Sequence, residues 1–441
     1  MRLVEKGWME LKEEVIDADK CCQCGNCTAV CDAIRMTVHG PIADSDLCQE
    51  RPTCKDGLGT CYNLCPRTRD NPISPHLLDS WVNGVSGMLE SNPFHHEIQV
   101  FAVRAVPRDR FPIIGGAGSI RALLLAGIKE EIIDGIVHSS TLSGVQEVLD
   151  TEAELLNDGR QFQLPYAPNN ILLDAVSNGY QDLAVIGSGC EIQALRHAQN
   201  HPILDFELHE LVRLAIGCFC FFKPRPDRLN QLLNGNQDKQ EITRIIKEPG
   251  SFHYQIEEGG TSRRIRARTF IDASKGTCPS CMDHVGNLAD ISIGQIDAMV
   301  GWDMVIIRSQ VGRDVLEAAK KHRFVEVREV HGVIEDLMLE ITRNRIKFLS
   351  IQEIDIVGPK VKHFWFKSPR ILSRYSPGQF IVVWLPGVDF LPMTISAIDQ
   401  DRFRISVKLV GEGTKMLFEM HEGEEVGIRG PYGTGWDLTG D

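Results

Sequence analysis

The chain has 441 residues, 43% hydrophobic and 24% charged, with 47 basic against 60 acidic side chains and a formal net charge of −13. That balance reads as globular, long enough for roughly two to four domains, and it argues against a nucleic-acid surface, which needs clustered Lys and Arg. No apolar run nears the roughly 18 residues of a membrane span, and the charged start "MRLVEKGWMELKEE" lacks a signal-peptide core, so the expected location is cytoplasmic.

In chain order, residues 1–75 hold nine of the fourteen cysteines amid turn formers. Residues 76–345 alternate short apolar runs ("DGIVHSS", "DLAVIG", "LVRLAIG", "MVIIRS") with helical stretches, as an α/β domain does. Residues 346–441 change rhythm. "FIVVWLP", "MTISAI", "FRISVKLV" and "EVGIRG" are β-rich and broken by Gly, Pro and Asp, the pattern of a small antiparallel barrel. The expected fold class is α+β multidomain: a cysteine-rich, ferredoxin-like segment, an α/β domain and a C-terminal antiparallel β-barrel.

The first cysteine run, "CCQCGNCTAVC", places Cys21, Cys24, Cys27 and Cys31 at C-x2-C-x2-C-x3-C spacing, with Cys22 left over. A second run follows: Cys48, Cys54, Cys61 and Cys65, ending in "CPR". In two-cluster ferredoxins each run gives its last thiolate to the other run's cluster. On that logic Cys21, Cys24, Cys27 and Cys65 hold one 4Fe–4S cluster, and Cys31, Cys48, Cys54 and Cys61 hold a second. Asp32 stands where a proline often follows, and the second run is stretched by "RPTCKDGLGT". Zinc ligation or plain buried cysteines are the bland alternatives. Five cysteines remain: Cys190, Cys218, Cys220, Cys278 and Cys281. Spacing alone leaves open a third cluster, a redox-active "CPSC" dithiol, half a zinc site, or ordinary buried thiols.

The strings "GGAGSIRALLLAGIKEEIIDGIV" (115–137), "YAPNNILLDAV" (166–176), "DLAVIGSGCEIQALRHAQ" (182–199), "IGCFC" (216–220), "CPSCMDHVGNLADISIG" (278–294) and "GWDMVIIR" (301–308) resemble, in order, the beta-subunit family of coenzyme F-420-reducing hydrogenases and dehydrogenases. The resemblance implies an iron–sulfur flavoprotein with FAD in the α/β domain beside a 4Fe–4S cluster. The family's cluster cysteines match Cys190, Cys220, Cys278 and Cys281, leaving Cys218 and Cys22 as spares. The turn Gly115-Gly116, with Ser119 at the start of the next helix, suits flavin or phosphate contact; a plain loop-to-helix turn is the alternative. This chain departs from the family's usual G-G-x-x-T at residues 115–119 and from its T-P-C-Q at residues 188–191. Gln161 or Phe162 stands where a Lys is commoner. These departures bear on the substrate more than on the fold.

Residues 377–436, with "PGQFIVVWLPGVDFLPMTISAI", "VKLVGEGTKML" and "GIRGPYGTGWDL", resemble the FAD-binding barrel of ferredoxin-reductase-like proteins, most of all the electron-transfer subunit of dihydroorotate dehydrogenase. In that family the "PMTIS" strand, here Pro392 and Thr394, flanks the flavin ring, and the "GEGT" turn, here Gly411, Gly413 and Thr414, meets the pyrophosphate. Leu391 replaces a common basic residue, and a barrel kept for docking without flavin is the alternative. In that family a nucleotide-binding domain follows. No strand–turn–helix unit of that kind follows here within the sequence, which leaves open an absent NAD(P) site or a shortened sequence.

No catalytic side chain is identified; "NPFHHE" (92–97) reads as surface. The expected function is a redox relay between a two-electron hydride carrier, reduced F-420 by resemblance, and iron–sulfur clusters. The expected cofactors are three 4Fe–4S clusters and FAD, with a second FAD in the barrel as an option. The expected partners are redox subunits of hydrogenase, formate dehydrogenase or heterodisulfide-reductase type, with no nucleic acid and no membrane span. The alternatives are an NAD(P)H-linked electron-transfer subunit and a non-catalytic adaptor whose clusters wire partners together.

Overall fold

A computed structural model describes residues 3–50, 59–70, 99–107, 109–111, 118–139, 146–157, 162, 165–201, 211–220, 223–234, 242–247, 253–258, 261–266, 273–278, 283, 285–295, 299–330, 347–385, 389–432 and 435–436. They fall into two compact units, Met1–Leu339 and Glu340–Asp441.

In the first unit a hairpin, β1 (Ile34–Thr37) and β2 (Gly40–Ala43), follows the first cysteine run. The body of the unit is a mixed sheet. Its strands are β3 (Gln99–Ala105), β4 (Gly135–Ser139), β5 (Gln146–Leu149), β6 (Leu183–Ser188) and β7 (Val212–Cys218), then β11 (Ile291–Gly294), β12 (Asp303–Ile307) and β13 (Val325–Glu329), in the order β13-β3-β12-β11-β7-β6-β4-β5. The inner strands β4, β6, β7 and β11 run parallel, and the pairs outside them are antiparallel. A separate antiparallel sheet holds β8 (Ile242–Lys247), β9 (His253–Glu258) and β10 (Thr261–Arg266).

Why the inner strands read as unbroken apolar runs is visible in β6. Ala184 and Ile186 point into one core layer, Leu183 and Val185 into the other, so both faces are buried. One face is covered by the helices Ser119–Lys129 and Gln310–Lys321. The second of these starts at Ser309, whose Oγ accepts from the Gly312 amide at 3.2 Å and meets one of the donors a helix start leaves unpaired. The other face is covered by the helices Leu172–Ser177 and Gly189–Gln199, and Leu64, from the cysteine-rich segment, is part of that layer.

In the second unit, β14 (Lys347–Gly358), β15 (Val361–Lys367), β16 (Phe380–Leu385), β17 (Asp389–Asp399), β18 (Arg402–Lys408) and β19 (Glu425–Tyr432) close into an antiparallel barrel of order β14-β15-β18-β17-β16-β19. The β14–β19 pairing, Leu349 opposite Val426, completes the ring. Alternation fills it: Phe364 and Phe366 from β15, Phe403, Ile405 and Val407 from β18, and Ile381 and Val383 from β16 point inward. Closure removes the strand edges that would otherwise be open to pairing. Among the described residues no helix is long and apolar enough to cross a membrane.

Candidate redox centre

The first cysteine run is held by backbone and amide contacts that spacing alone does not reveal. Gly25 has φ +96°, and a Cβ there would lie 2.5 Å from the Asn170 nitrogen and 3.0 Å from the Ala167 oxygen. The position therefore needs glycine for both conformation and room. Asn26, buried, donates from Nδ2 to Leu64 O at 3.1 Å and Ala194 O at 2.9 Å, and its Oδ1 accepts from Asn169 Nδ2 at 2.8 Å. The Asn169 amide donates to Cys24 O at 3.2 Å, and Tyr166 Oη donates to Thr37 O. The "YAPNN" and "GSGCEIQAL" strings are thus the seat on which the "CGN" loop rests.

Around that loop, Cys21, Cys24, Cys27 and Cys65 line one pocket together with Cys22. Its other walls include Leu11, Val15, Ile16, Met36 and Pro41. The four thiols named are those that ferredoxin logic groups as one set. Burial pushes the Cys21 thiol up to about 11, and Cys27 and Cys65 are raised further, first by burial and then by neighbouring cysteines, Cys21 foremost for Cys27 and Cys22 for Cys65. Binding a cluster would take the protons off these thiols. Among the described residues no three His, Cys, Asp or Glu side chains form a group fit for a metal ion. A cubane presents its four iron corners to four separate thiolates, a wider arrangement than the ligands of one ion.

Of the second set, Cys31 and Cys61 are buried in one apolar cluster, with Cys48 packed against it; Cys54 lies outside the described residues. Of the third set, Cys190 sits in the first turn of the helix after β6, and Cys220 stands two residues beyond β7. These strands are parallel neighbours, with Ser188 opposite Cys218. Both cysteines therefore emerge at the same sheet edge, the carboxyl ends where open α/β sheets place ligands. Cys278 is tied in by the Lys223 amide, which donates to its Sγ at 3.4 Å; burial and then the neighbouring Cys190 are what raise its thiol, against the Lys223 amide bond. Cys281 lies outside the described residues. Cys218 is buried in β7 with its Sγ 3.7 Å from Phe162 O, and burial pushes it up to about 12.

Sequence spacing left Cys22 as a spare, and the structure gives it a place. It is buried with Cys24 and Ala194, and Cys190 packs against them. Its hydrogen bond with Cys190 favours the thiolate, but its bond with Cys24 and its burial outweigh that and push it up to about 11. The first and third cysteine sets therefore meet. Three charged residues stand at this junction: Glu191, seen in sequence only as part of the departure at residues 188–191, and Lys223 and Lys275, which sequence reading passed over. Glu191, Lys223 and Lys275 are all at most 1% exposed. Glu191 accepts from the Ser188 amide at 2.8 Å and Oγ at 2.7 Å and pairs with Lys223 Nζ. The adjoining Ser188 Oγ is 3.4 Å from Cys190 Sγ.

Gly115 and Gly116 lie outside the described residues. Ser119 is buried; its amide donates to Asp303 Oδ2 at 3.3 Å and its Oγ to Val103 O at 3.0 Å. On the barrel, Pro392 and Thr394 are exposed on β17. Phe380 pairs with Thr394 on one side and Tyr432 on the other, giving an open row across three strands with the two rings 5.8 Å apart. An apolar ring edge beside a hydroxyl is a surface a planar flavin can use. Gly411 precedes the Glu412–Glu419 helix, Gly413 is buried, and Thr414 Oγ1 accepts from the Val410 and Gly411 amides at 2.9 and 3.0 Å. The hydroxyl thus fixes the shape of the "GEGT" turn.

Cysteines gather at the carboxyl ends of the mixed sheet, the second unit is a closed antiparallel barrel, and the relatives of the two parts include a hydrogenase subunit and an electron transfer subunit. Residues 180–332 match the family described as the C terminus of the coenzyme F-420 hydrogenase/dehydrogenase beta subunit. The chain is similar to that beta-subunit family, and its C-terminal segment is similar to the electron-transfer subunit of dihydroorotate dehydrogenase. It is 25% identical to an uncharacterised protein of Methanocaldococcus jannaschii over 382 residues, 79% of this chain and 99% of that one. The coenzyme F-420 hydrogenase subunit beta of Methanosarcina barkeri is 26% identical over 275 residues, 59% of this chain and 92% of the relative. A probable dihydroorotate dehydrogenase B (NAD(+)) electron transfer subunit of Methanocella arvoryzae is 51% identical over 92 residues, 21% of this chain and 34% of the relative.

Proposed function

We propose that this chain is an iron–sulfur flavoprotein subunit that relays electrons between a two-electron hydride carrier, reduced coenzyme F-420, and the clusters of a larger redox complex. It would work as three modules: a two-cluster ferredoxin-like segment in residues 1–75, an α/β flavin and cluster domain in residues 76–345, and a flavin-binding barrel in residues 346–441. The observation that carries the reading is the packing of Cys22 and Cys24 against Cys190. It joins the cysteine set of the first run to the set beside the α/β sheet, as a relay requires.

The donor sets proposed are Cys21, Cys24, Cys27 and Cys65; Cys31, Cys48, Cys54 and Cys61; and Cys190, Cys220, Cys278 and Cys281. The first fits a cubane: four thiols on one pocket whose remaining walls are mostly apolar. A flavin supplies the exchange between paired and single electrons that clusters alone lack. This chain's part is to hold and shield. Gly25 and Asn26 seat the cysteine loop, Thr414 shapes the barrel turn, and Phe380, Thr394 and Tyr432 offer a face for a ring.

The test is anaerobic purification with iron and flavin counted per chain. About twelve iron atoms with FAD support the relay; four to eight without flavin sink it, leaving an adaptor. Anaerobic bleaching by reduced F-420 against NADH and NADPH then names the carrier. A nicotinamide-linked route is the second reading, and the 51% identity of the barrel segment to an NAD(+)-type electron transfer subunit is what favours it.

A further inference from the structure

Lys275 is 1% exposed, and its ammonium donates to the Cys22 carbonyl. Its amide is bound to Lys223 O at 3.1 Å, and its own carbonyl accepts from the Cys278 amide at 2.9 Å. It is thereby pinned between the first cysteine run and the "CPSC" string. No carboxylate among the described residues forms an ion pair with it. The carboxylate whose charge acts on it, Glu191, is already paired with Lys223, also buried. Another buried carboxylate, Asp283, is held by Gln193 Nε2 at 3.0 Å and the Asn287 amide at 2.8 Å, and its charge acts on Arg308.

Two buried ammonium groups against one shared carboxylate leave an uncompensated positive charge. An isolated buried charge costs several kcal/mol, so something anionic has to answer it. The groups acting on Lys275 are, besides Glu191, the sulfurs of Cys190, Cys22 and Cys278. Neutral thiols would not compensate the charge; thiolates bound to iron would.

We propose that Lys275 is the counter-charge of the cluster held by the Cys190 and Cys278 set. It acts as a positioning residue that raises that cluster's reduction potential and fastens the set to the first cysteine run through Cys22. Reduction adds one negative charge to the cluster, and a fixed cation in a dry site favours the reduced state. Glu191 and Lys223 form a neutral pair and leave the potential to Lys275.

The inference rests on the cluster assignment above, and the experiment separates the two. The full chain, purified anaerobically, is titrated with dithionite while its cluster signals are followed by electron paramagnetic resonance. The Cys278→Ser variant identifies the signal of the third set. If the wild type shows no such signal, the cluster assignment fails. If the signal is present, Lys275→Gln and Lys275→Met should keep it and lower its reduction equilibrium constant tenfold or more, about 59 mV for a one-electron couple. The double variant Lys223→Met, Glu191→Gln, which removes the neutral pair, should change it less than about threefold. An unmoved potential in Lys275→Met, or an equal shift in the double variant, overturns the proposal. If the neutral variants lose the iron, Lys275→Arg decides. Iron retained with arginine supports the need for charge, and iron lost in all three variants overturns it in favour of shape.

Discussion

The two cysteine-bearing layers of the first unit and the barrel of the second solve different problems. Around Cys24 and Cys190 the functional atoms are inside, walled by apolar side chains, and their neighbours are backbone carbonyls and amides from three distant stretches of chain. On the barrel the core is a sealed set of Phe, Ile and Val, and Pro392, Thr394 and Gly411 face outward. A cluster wants to be shielded because its charge and potential depend on what surrounds it. A flavin laid on a barrel needs an open shelf and a shaped turn. Mutations should therefore be costly and cluster-specific in the first region, and mild and local in the second.

The largest effect is expected from Gly25→Ala. Its methyl would meet backbone at 2.5 Å in a left-handed conformation, and overpacking with strain costs several kcal/mol. Iron should fall by about four atoms per chain while barrel-bound flavin is retained. A full iron count in that variant would break the contrast between the two regions. Cys278→Ser should likewise lose about four iron atoms and leave the signals of the ferredoxin-like segment in place; unchanged iron contradicts the third set.

Asn26→Ala is the next step down. It strips the Leu64 and Ala194 carbonyls of a buried donor, and each loss costs about 1–3 kcal/mol. Denaturant unfolding of the first unit should shift accordingly, and a change below about 1 kcal/mol would mean the seat is not where the loop is held.

Acid should separate the units too. Burial, reinforced for His197 by His201, pushes His197 down to about 3, and burial pushes His201 down to about 4. Unfolded, both titrate near 6.5, so between these values the unfolded chain binds more protons. The stability they confer is full above pH 6.5 and is lost as pH falls toward 4 and 3, by up to about 1.4 kcal/mol per pH unit for each. His197→Gln should flatten that slope in the metal-free protein, and an equal slope in both would exclude the buried pair as its source.

The smallest effect belongs to the barrel. Thr414→Val removes the hydroxyl that caps the turn, for about 1 kcal/mol, and should weaken flavin retention without touching iron. Lost iron there would erase the distinction.

The proposed cysteine sets were legible because ligation, where it occurs, imposes spacing. Cys21, Cys24, Cys27 and Cys65 could be grouped from the alternating logic of two runs, and they do line one pocket. The barrel was legible because alternation and turn residues report a half-buried strand locally. Cys22 reads as a spare thiol in sequence, and its packing beside Cys190, 168 positions away, was not legible because nothing local marks the meeting. Glu191 was noticed as a departure at residues 188–191, yet its work, capping a helix while pairing with Lys223, depends on a residue 32 positions later in the chain.

The mixed α/β body, the barrel and the resemblance to the beta-subunit family were settled by sequence alone, because they are written in periodicity and ordered strings. Folding in three dimensions was needed to show that the "YAPNN" turn seats the cysteine loop, that Cys190 packs against the cluster of Cys22 and Cys24, and that Lys275 is buried near thiols with no carboxylate ion pair among the described residues. Burial and pairing are properties of space, and a lysine in a string of residues carries no mark of the dielectric it will occupy.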